Sequence, residues 1–327
     1  MYGNRREIRY IELFAGAGGF RLGIERAFKE GGKHGKPDML SAKCVFANEW
    51  DKYCCQIYNK NFGTQIIPAD IRTIEARDIP AFDLLCGGFP CQAFSIAGKR
   101  RGFNDSRGTL FFEIARILEV KRPRFIFLEN VKGLLNHDKG ETFRVILQAI
   151  SELGYEIQWM VLNSKFFGVP QNRERVFIIG SLGGEPRPEI LPFGEGGTKA
   201  NKGKHEKSFG ALTANICHQG WQTPTVEIKC KQYDPNRNSN RSQQYRIYES
   251  DGLSPTLPSS QAADIKINHT GIRRLTPIEC ERLQGFPDNW TQGASDTQRY
   301  KMMGNAVTVN VIEAIVRKWF GLGKDAE

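Results

Sequence analysis

No apolar run in this chain of 327 residues approaches the roughly 20 residues that a bilayer-spanning helix needs. The opening residues, Met1-Tyr2-Gly3-Asn4-Arg5-Arg6, also lack the apolar segment of a secretion signal. A cytoplasmic protein with no membrane partner is expected. Histidine is scarce, with five copies, and the eight cysteines contain no Cys-x-x-Cys pair. Neither a zinc site, which draws on such pairs, nor a disulfide framework is indicated, and no metal is expected.

What the chain does hold is enough apolar residue for a proper core, 40% with 21 Phe and 5 Trp, over a length that suggests two domains. Basic residues outnumber acidic ones by 46 to 36 for a formal charge of +10. The excess is unevenly placed. Thr198 to Tyr248 carries nine Lys/Arg against three acids, +6 in about a sixth of the chain. Such a run is a solvated surface or the footprint of a polyanion. Its internal position argues against a tail, and the lack of an accompanying amphipathic helix favours nucleic acid over a membrane surface.

Strands and glycine turns organise the first half. Arg9-Tyr10-Ile11-Glu12-Leu13-Phe14 reads as a strand, followed by Ala15-Gly16-Ala17-Gly18-Gly19 and a helix over 20–29. Such a turn lets backbone approach a nucleotide-like ligand, although it is not a clean G-x-G-x-x-G and an ordinary βα turn reads the same way. A second strand, Lys43 to Asn48, ends in Glu49-Trp50-Asp51. In doubly wound folds an acid there holds ribose hydroxyls, while the Trp covers an adenine face or joins the core. A short apolar run leads to Asp70-Ile71. A strand from Phe82 then ends at Gly87-Gly88 in a tight loop, and Pro90 forbids the ladder from continuing through Cys91. Cys91 then sits in a cleft, as a small buried hydrophobe or as a nucleophile.

Ile96 to Arg107 carries Lys99, Arg100, Arg101 and Arg107 and suits a mobile lid that approaches phosphates. After a helix over 109–120, the apolar strand Arg124 to Leu128 ends at Glu129-Asn130-Val131. Four strand ends thus bring Gly16, Glu49, Cys91 and Glu129 to one rim, where open parallel sheets bind their ligands. A helix over 141–153 and a strand over 156–162 follow, then Gln171-Asn172-Arg173-Glu174-Arg175. Arginines at i and i+2 of an extended segment share a face, fit to hold a phosphate or a base carbonyl unless they are simply exposed. Five Gly and three Pro between Ser181 and Thr198 mark a domain boundary. Beyond it, 231–244 clusters Arg, Asn and Gln, the side chains that read base edges. Helix returns over 276–283, and from Tyr300 the chain is expected to enter one terminal helix reaching Phe320.

These residues, in this order, resemble the DNA (cytosine-5) methyltransferases, especially the compact bacterial type. The resemblance is carried by Phe14-Ala15-Gly16-x-Gly18-Gly19, Asn48-Glu49-Trp50, Gly88-Phe89-Pro90-Cys91-Gln92, Glu129-Asn130-Val131, Gln171-x-Arg173-x-Arg175 and Gly304-Asn305, over roughly residues 8–185 and 271–320. Ala306 departs from it, since many relatives have Ser there and a side-chain hydrogen bond to the cofactor is lost. The resemblance implies an α/β, Rossmann-like methyltransferase domain with a doubly wound mixed sheet, built from 1–185 plus 271–327. A smaller, mostly β or irregular target-recognition domain would occupy 186–270.

It also implies S-adenosyl-L-methionine as cofactor, S-adenosyl-L-homocysteine as product, and methylation of C5 of a flipped-out cytosine in a specific double-stranded DNA sequence. Phe14, Ala15, Gly16, Gly18, Gly19, Glu49, Trp50, Asp70, Ile71, Pro90, Leu110 and Asn305 would bind the cofactor, Glu49 taking the ribose and Asp70 the adenine amine. Cys91 would be the nucleophile and Glu129 the proton donor toward N3, with Arg173 and Arg175 holding the base carbonyl and backbone. DNA contacts are expected from Gln92, Ser95, Lys99, Arg100, Arg107, Arg237, Arg241, Gln243, Arg246 and Thr256. A monomer is expected, either in a restriction–modification system with a cognate restriction endonuclease encoded alongside or as an orphan enzyme. Two other readings stand beside this one. An RNA cytosine methyltransferase on the same domain is disfavoured by the sizeable basic region. A DNA-binding regulator without the chemistry is disfavoured by the intact Cys91, Glu129 and arginine pair.

Overall fold

Strands that are apolar on both faces need cover on both faces, and the chain supplies it with helices between them. The computed structural model describes residues 7–31, 40–64, 66, 68–90, 110–183, 230–233, 246–249, 254, 256–257, 266–268 and 272–322. The elements run β1 (Glu7–Leu13), α1 (Gly19–Gly31), β2 (Ser41–Asn48), α2 (Lys52–Phe62), β3 (Leu84–Gly88), α3 (Leu110–Lys121), β4 (Phe125–Val131), α4 (Glu141–Glu152), β5 (Tyr155–Asn163) and β6 (Glu174–Leu182). Then come β7 (Cys230–Tyr233), β8 (Arg246–Glu249), β9 (Lys266–Asn268), β10 (Ile272–Arg274), α5 (Pro277–Leu283), α6 (Asp296–Asn305) and α7 (Val309–Phe320).

The main sheet has the order β2-β1-β3-β4-β6-β5. The first four of these are parallel, and β6 runs antiparallel to both its neighbours. This is the doubly wound mixed sheet the sequence implies. Strand alternation divides the core in two. Phe125 and Phe127 of β4 face α1 and α7, with Phe20, Ile312 and Trp319 in the same cluster. Their rings meet Trp319 edge-on at 5.4 and 6.0 Å. Ile126 and Leu128 of the same strand face α3 and α4, among Phe111, Ile114, Ile146 and Ile150. Each such fully buried side chain stabilises the fold by roughly 1.5–3 kcal/mol. The later strands form a four-stranded sheet in the order β10-β9-β8-β7.

Local signals set the helix ends. Asp51 caps α2 by accepting from the N–H groups of Tyr53 and Cys54, and Gly63 closes it at φ 61°. Thr276 and Glu279 form a capping box on α5, with Pro277 opening the helix.

Two expectations need correction. The single terminal helix from Tyr300 to Phe320 is two, because the chain extends at Ala306 (φ −61°, ψ 147°) and restarts at Val309. And the strand expected from Phe82 begins at Leu84, while its end falls at Gly87-Gly88 as expected. A Cβ at position 87 would lie 2.4 Å from the carbonyl oxygen of Leu13 on β1, so only glycine lets the strands keep their spacing there. Among the described residues, no helix is long and apolar enough to cross a membrane.

Candidate active site

The carboxyl ends of the four parallel strands open onto one cleft of about 780 Å³. It is lined by the turns after β1, β2 and β3, through Phe14 to Ala17, Glu49 to Asp51 and Phe89-Pro90, and by the end of β4, Glu129 to Val131. Asp70, Ile71 and Leu110 line one side. Arg173, Arg175, Thr256, Leu257 and residues of the segment from Lys301 to Val307 complete the lining.

One half of the cleft is shaped for a small ligand with a planar, polar-edged group. Phe14 adopts the left-handed region (φ 55°), uncommon for a side chain of this size, where the chain turns off β1. Gly16 then gives its N–H to Glu49 Oε2 at 2.8 Å, while Glu49 Oε1 accepts from the N–H groups of Trp50 (2.9 Å) and Asp51 (2.8 Å). A carboxylate offers about four acceptor positions, so Glu49 still has capacity for a ligand hydroxyl. Burial raises its pKa, against the three backbone donors. The Trp50 ring is 75% exposed, an apolar face open for stacking. Gly18 lies on the aromatic pair of α2: an added Cβ would come 2.3 Å from Phe62.

The other half is electrostatic. Glu129, 8% exposed, meets Arg175 Nε through Oε1 at 3.0 Å. Burial pushes the Glu129 carboxyl up, while the positive charges of Arg175 and Arg173 pull it down without cancelling the rise. Asn130 donates from Nδ2 to the carbonyl oxygen of Phe89 at 2.8 Å. That bond ties the end of β4 to the turn that leads into Cys91.

The structure places Phe14, Ala15, Gly16, Gly19, Glu49, Trp50, Asp70, Ile71, Pro90, Leu110 and Asn305 along this cleft, together with Glu129, Arg173 and Arg175. Gly18 stands behind it. Cys91, Gln92, Ser95, Lys99, Arg100, Arg107, Arg237, Arg241 and Gln243 lie outside the described residues, and Arg246 belongs to β8.

Three of these side chains are engaged by the protein itself, Arg173 first. It is 1% exposed, and its Nη2 donates to the carbonyl oxygens of Gly304 (3.0 Å) and Ala306 (2.7 Å), because the broken helix leaves those acceptors open. Thr256 is turned inward, its hydroxyl donating to the carbonyl oxygen of Asn172 at 2.9 Å. Asp70 has both oxygens engaged by Arg72 and its carboxyl is lowered to about 2 by that side chain, so an adenine amine would have to share it.

Sequence reasoning missed Lys301, which lines the cleft and pairs with Asp51 Oδ2 at 2.8 Å. Its spacing of four from Asn305 puts both on one helix face, and that was the available signal.

The pattern that describes the C-5 cytosine-specific DNA methylases matches residues 8–321. Type II methyltransferase M1.ScrFI of Lactococcus lactis subsp. cremoris is 39% identical over 329 residues, covering 96% of this chain and 79% of the relative. Type II methyltransferase M.NlaX of Neisseria lactamica is 38% identical, with 95% of each chain covered. Among solved structures, the S. pombe Dnmt2 methyltransferase shares the fold at a TM-score of 0.64 and 21% identity, covering 95% of this chain and 97% of its own.

Proposed function

Because the chain belongs to the C-5 cytosine-specific DNA methylase family, and is thereby a DNA (cytosine-5) methyltransferase, we propose that it works through S-adenosyl-L-methionine and a covalent Cys91 adduct of a flipped-out cytosine. The observation that carries this reading is the buried Glu129–Arg175 pair, at the end of the strand beside the one leading to Cys91 and within the same cleft as Glu49 and Trp50.

The residues present fit the cofactor. Trp50 offers a face for the adenine, Glu49 a spare acceptor for a ribose hydroxyl, and the bare backbone at Gly16 leaves room for close approach. S-adenosyl-L-methionine, when bound, supplies an electrophilic sulfonium methyl and leaves as S-adenosyl-L-homocysteine. The protein must make cytosine C5 nucleophilic. The Cys91 thiolate adds to C6, electron density moves toward N3, and Glu129 delivers a proton there. Burial favours the protonated carboxyl that this step needs. Arg175 orients Glu129 from behind. After C5 has gained the methyl, its hydrogen leaves as a proton to water, the bond from Cys91 to C6 breaks to restore the thiolate, and N3 returns its proton to Glu129, so that the neutral ring is restored. The target atom lies inside a stacked duplex, so the cytosine has to be extruded into the cleft.

The same reading divides the chain into a catalytic unit, 1–185 plus 271–327, and a DNA-holding unit, 186–270, whose +6 stretch suits phosphates. It takes the enzyme to be a cytoplasmic monomer, acting either in restriction–modification with a cognate endonuclease encoded alongside or as an orphan modification enzyme.

A duplex carrying 5-fluorocytosine at the methylated position tests the covalent step. Fluorine cannot leave as a cation, so the protein should remain bonded to DNA through denaturing electrophoresis, and only with S-adenosyl-L-methionine present in full yield. Cys91→Ser should abolish the adduct. An enzyme that methylates ordinary DNA yet gives no adduct would remove Cys91 from the mechanism, and labelled methyl entering tRNA rather than DNA would overturn the substrate.

A further inference from the structure

Arg173 stands where three segments of the chain meet. Beside its bonds to Gly304 and Ala306, its Nη1 donates to the carbonyl oxygen of Leu257 at 3.5 Å. Its own carbonyl oxygen accepts from the N–H of Ser164 (2.9 Å) and from the Ser164 hydroxyl (3.3 Å). Ser164 Oγ lies 2.8 Å from Thr308 Oγ1, which donates to Gln284 Oε1 at 2.8 Å. The strip from Gly304 to Thr308, which carries Asn305 along the cleft, is thereby held at both ends.

The other side of this junction is the segment 254–257. Ser254 gives its N–H to the carbonyl oxygen of Pro170 and accepts from the N–H of Asn172, each at 2.8 Å, and Thr256 binds the Asn172 carbonyl oxygen. This segment falls within 186–270, the region assigned above to DNA.

A helix break can be held by neutral groups at lower cost than by a buried guanidinium. Burial presses the Arg173 pKa well down, and the nearby Glu129 is paired with Arg175 instead. What a guanidinium adds is reach. Its planar fork fixes several acceptors at once, here main-chain oxygens from two segments that otherwise belong to different functions.

We propose that Arg173 is a positioning residue that links the cofactor wall at Gly304–Ala306 to the segment at Leu257, so that cofactor in the cleft tightens the grip on DNA. The proposal rests on the function given above, in which 186–270 holds DNA. A ligand packed against residues 304–306 fixes those carbonyls, which fix the fork, which fixes Leu257. DNA bound at the other end acts back through the same bonds, and the two effects on affinity must be equal.

The test uses the full-length enzyme and a duplex of the sequence it methylates in an expressing cell. Its dissociation constant is measured with and without S-adenosyl-L-homocysteine for wild type, Arg173→Lys and Thr256→Val. The wild type should bind DNA on the order of 10-fold more tightly with S-adenosyl-L-homocysteine, within the usual span of such couplings. In Arg173→Lys the ratio should fall to about 1–2, whatever the change in affinity for DNA alone. Thr256→Val, which loosens the other end of the link and keeps the guanidinium, should lower the ratio by about half.

A purely structural role would lower the melting temperature and both affinities together and leave the ratio intact. Either variant, if folded by circular dichroism and keeping the wild-type ratio, overturns the assignment, as does a wild-type ratio of one. Should Arg173→Lys fail to fold, Thr256→Val decides alone. Failure of the functional reading is seen separately, as no labelled methyl reaching DNA from the wild-type enzyme.

Discussion

Glu129 and Arg175 hold each other across antiparallel neighbours, Oε1 to Nε at 3.0 Å, with both side chains almost out of solvent. The pair makes a stability and an activity prediction that separate. Arg175→Ala leaves a buried carboxyl without its main partner, a change that costs about 3–5 kcal/mol where the charge cannot escape. Part of that cost is avoided by protonating Glu129, so the loss in urea unfolding should shrink as the pH falls. Glu129→Gln keeps an oxygen for Arg175 and should destabilise far less, while slowing methyl transfer by about 10²–10⁴-fold. A Gln variant that transfers methyl at the wild-type rate would remove Glu129 from proton transfer.

A second buried carboxyl sets how stability depends on pH. Glu12 is 1% exposed, with Oε2 accepting from the Tyr58 hydroxyl at 2.8 Å and Oε1 from the Arg21 N–H at 3.3 Å. Burial outweighs both bonds and pushes its carboxyl up to about 7 from an ordinary 4.5. Between those values the folded chain keeps a proton that the unfolded chain has released, so stability falls as pH rises. The contribution is whole below pH 4.5 and gone above about 7. At 1.36 kcal/mol per unit the window is worth about 3 kcal/mol. Glu12→Gln removes the titration, and its urea unfolding should be less sensitive to pH between 4.5 and about 7 than that of wild type. Parallel profiles would show that Glu12 does not carry the dependence.

Glu49 is expected to act on the cofactor and not on DNA. Its two oxygens organise the N–H groups of Gly16, Trp50 and Asp51, so Glu49→Ala removes the hydroxyl acceptor and unties the turn after β1. Hydrogen bonds to a charged group contribute about 1.5–3 kcal/mol each, and losing one to the ligand should weaken S-adenosyl-L-homocysteine binding by roughly 10- to 100-fold. Affinity for DNA in the absence of cofactor should be unchanged. Calorimetry with equal cofactor affinity in both proteins would move the ribose contact elsewhere.

The rim of the sheet was legible because each parallel strand announces its own end: apolar runs stop at Asn48-Glu49, Gly88 and Glu129, and a doubly wound sheet sends those ends to one edge. What local pattern cannot carry is the destination of a side chain. Spacing puts Arg173 and Arg175 on one face, yet one meets Glu129 and the other backbone 131 residues away. The break between α6 and α7 was hidden in the same way, since the apolar period runs on through Val307 while the carbonyls of Gly304 and Ala306 turn to Arg173. Gly88 was visible as a glycine, but its reason lies on another strand.

That reason supplies the last prediction. Gly88 is the register partner of Glu129 on β4, and a Cβ there would come 2.9 Å from Glu129 Oε2. Contact that short forces something to move. The backbone on both sides is locked in the ladder, so the carboxyl is the part that yields, swinging off Arg175. Gly88→Ala should therefore cost only about 1–3 kcal/mol in stability, as overpacking does. Its activity should fall much further, on the order of 10²-fold, because a displacement of about 1 Å is enough to misplace a proton donor. Cofactor affinity, which depends on Glu49 and Trp50 across the cleft, should remain within a few fold of wild type. The double variant with Glu129→Gln discriminates this from general damage. If Gly88→Ala acts through Glu129, the two losses overlap and the double variant is scarcely slower than Glu129→Gln alone. Losses that multiply would mean the methyl group disturbs the site by another route.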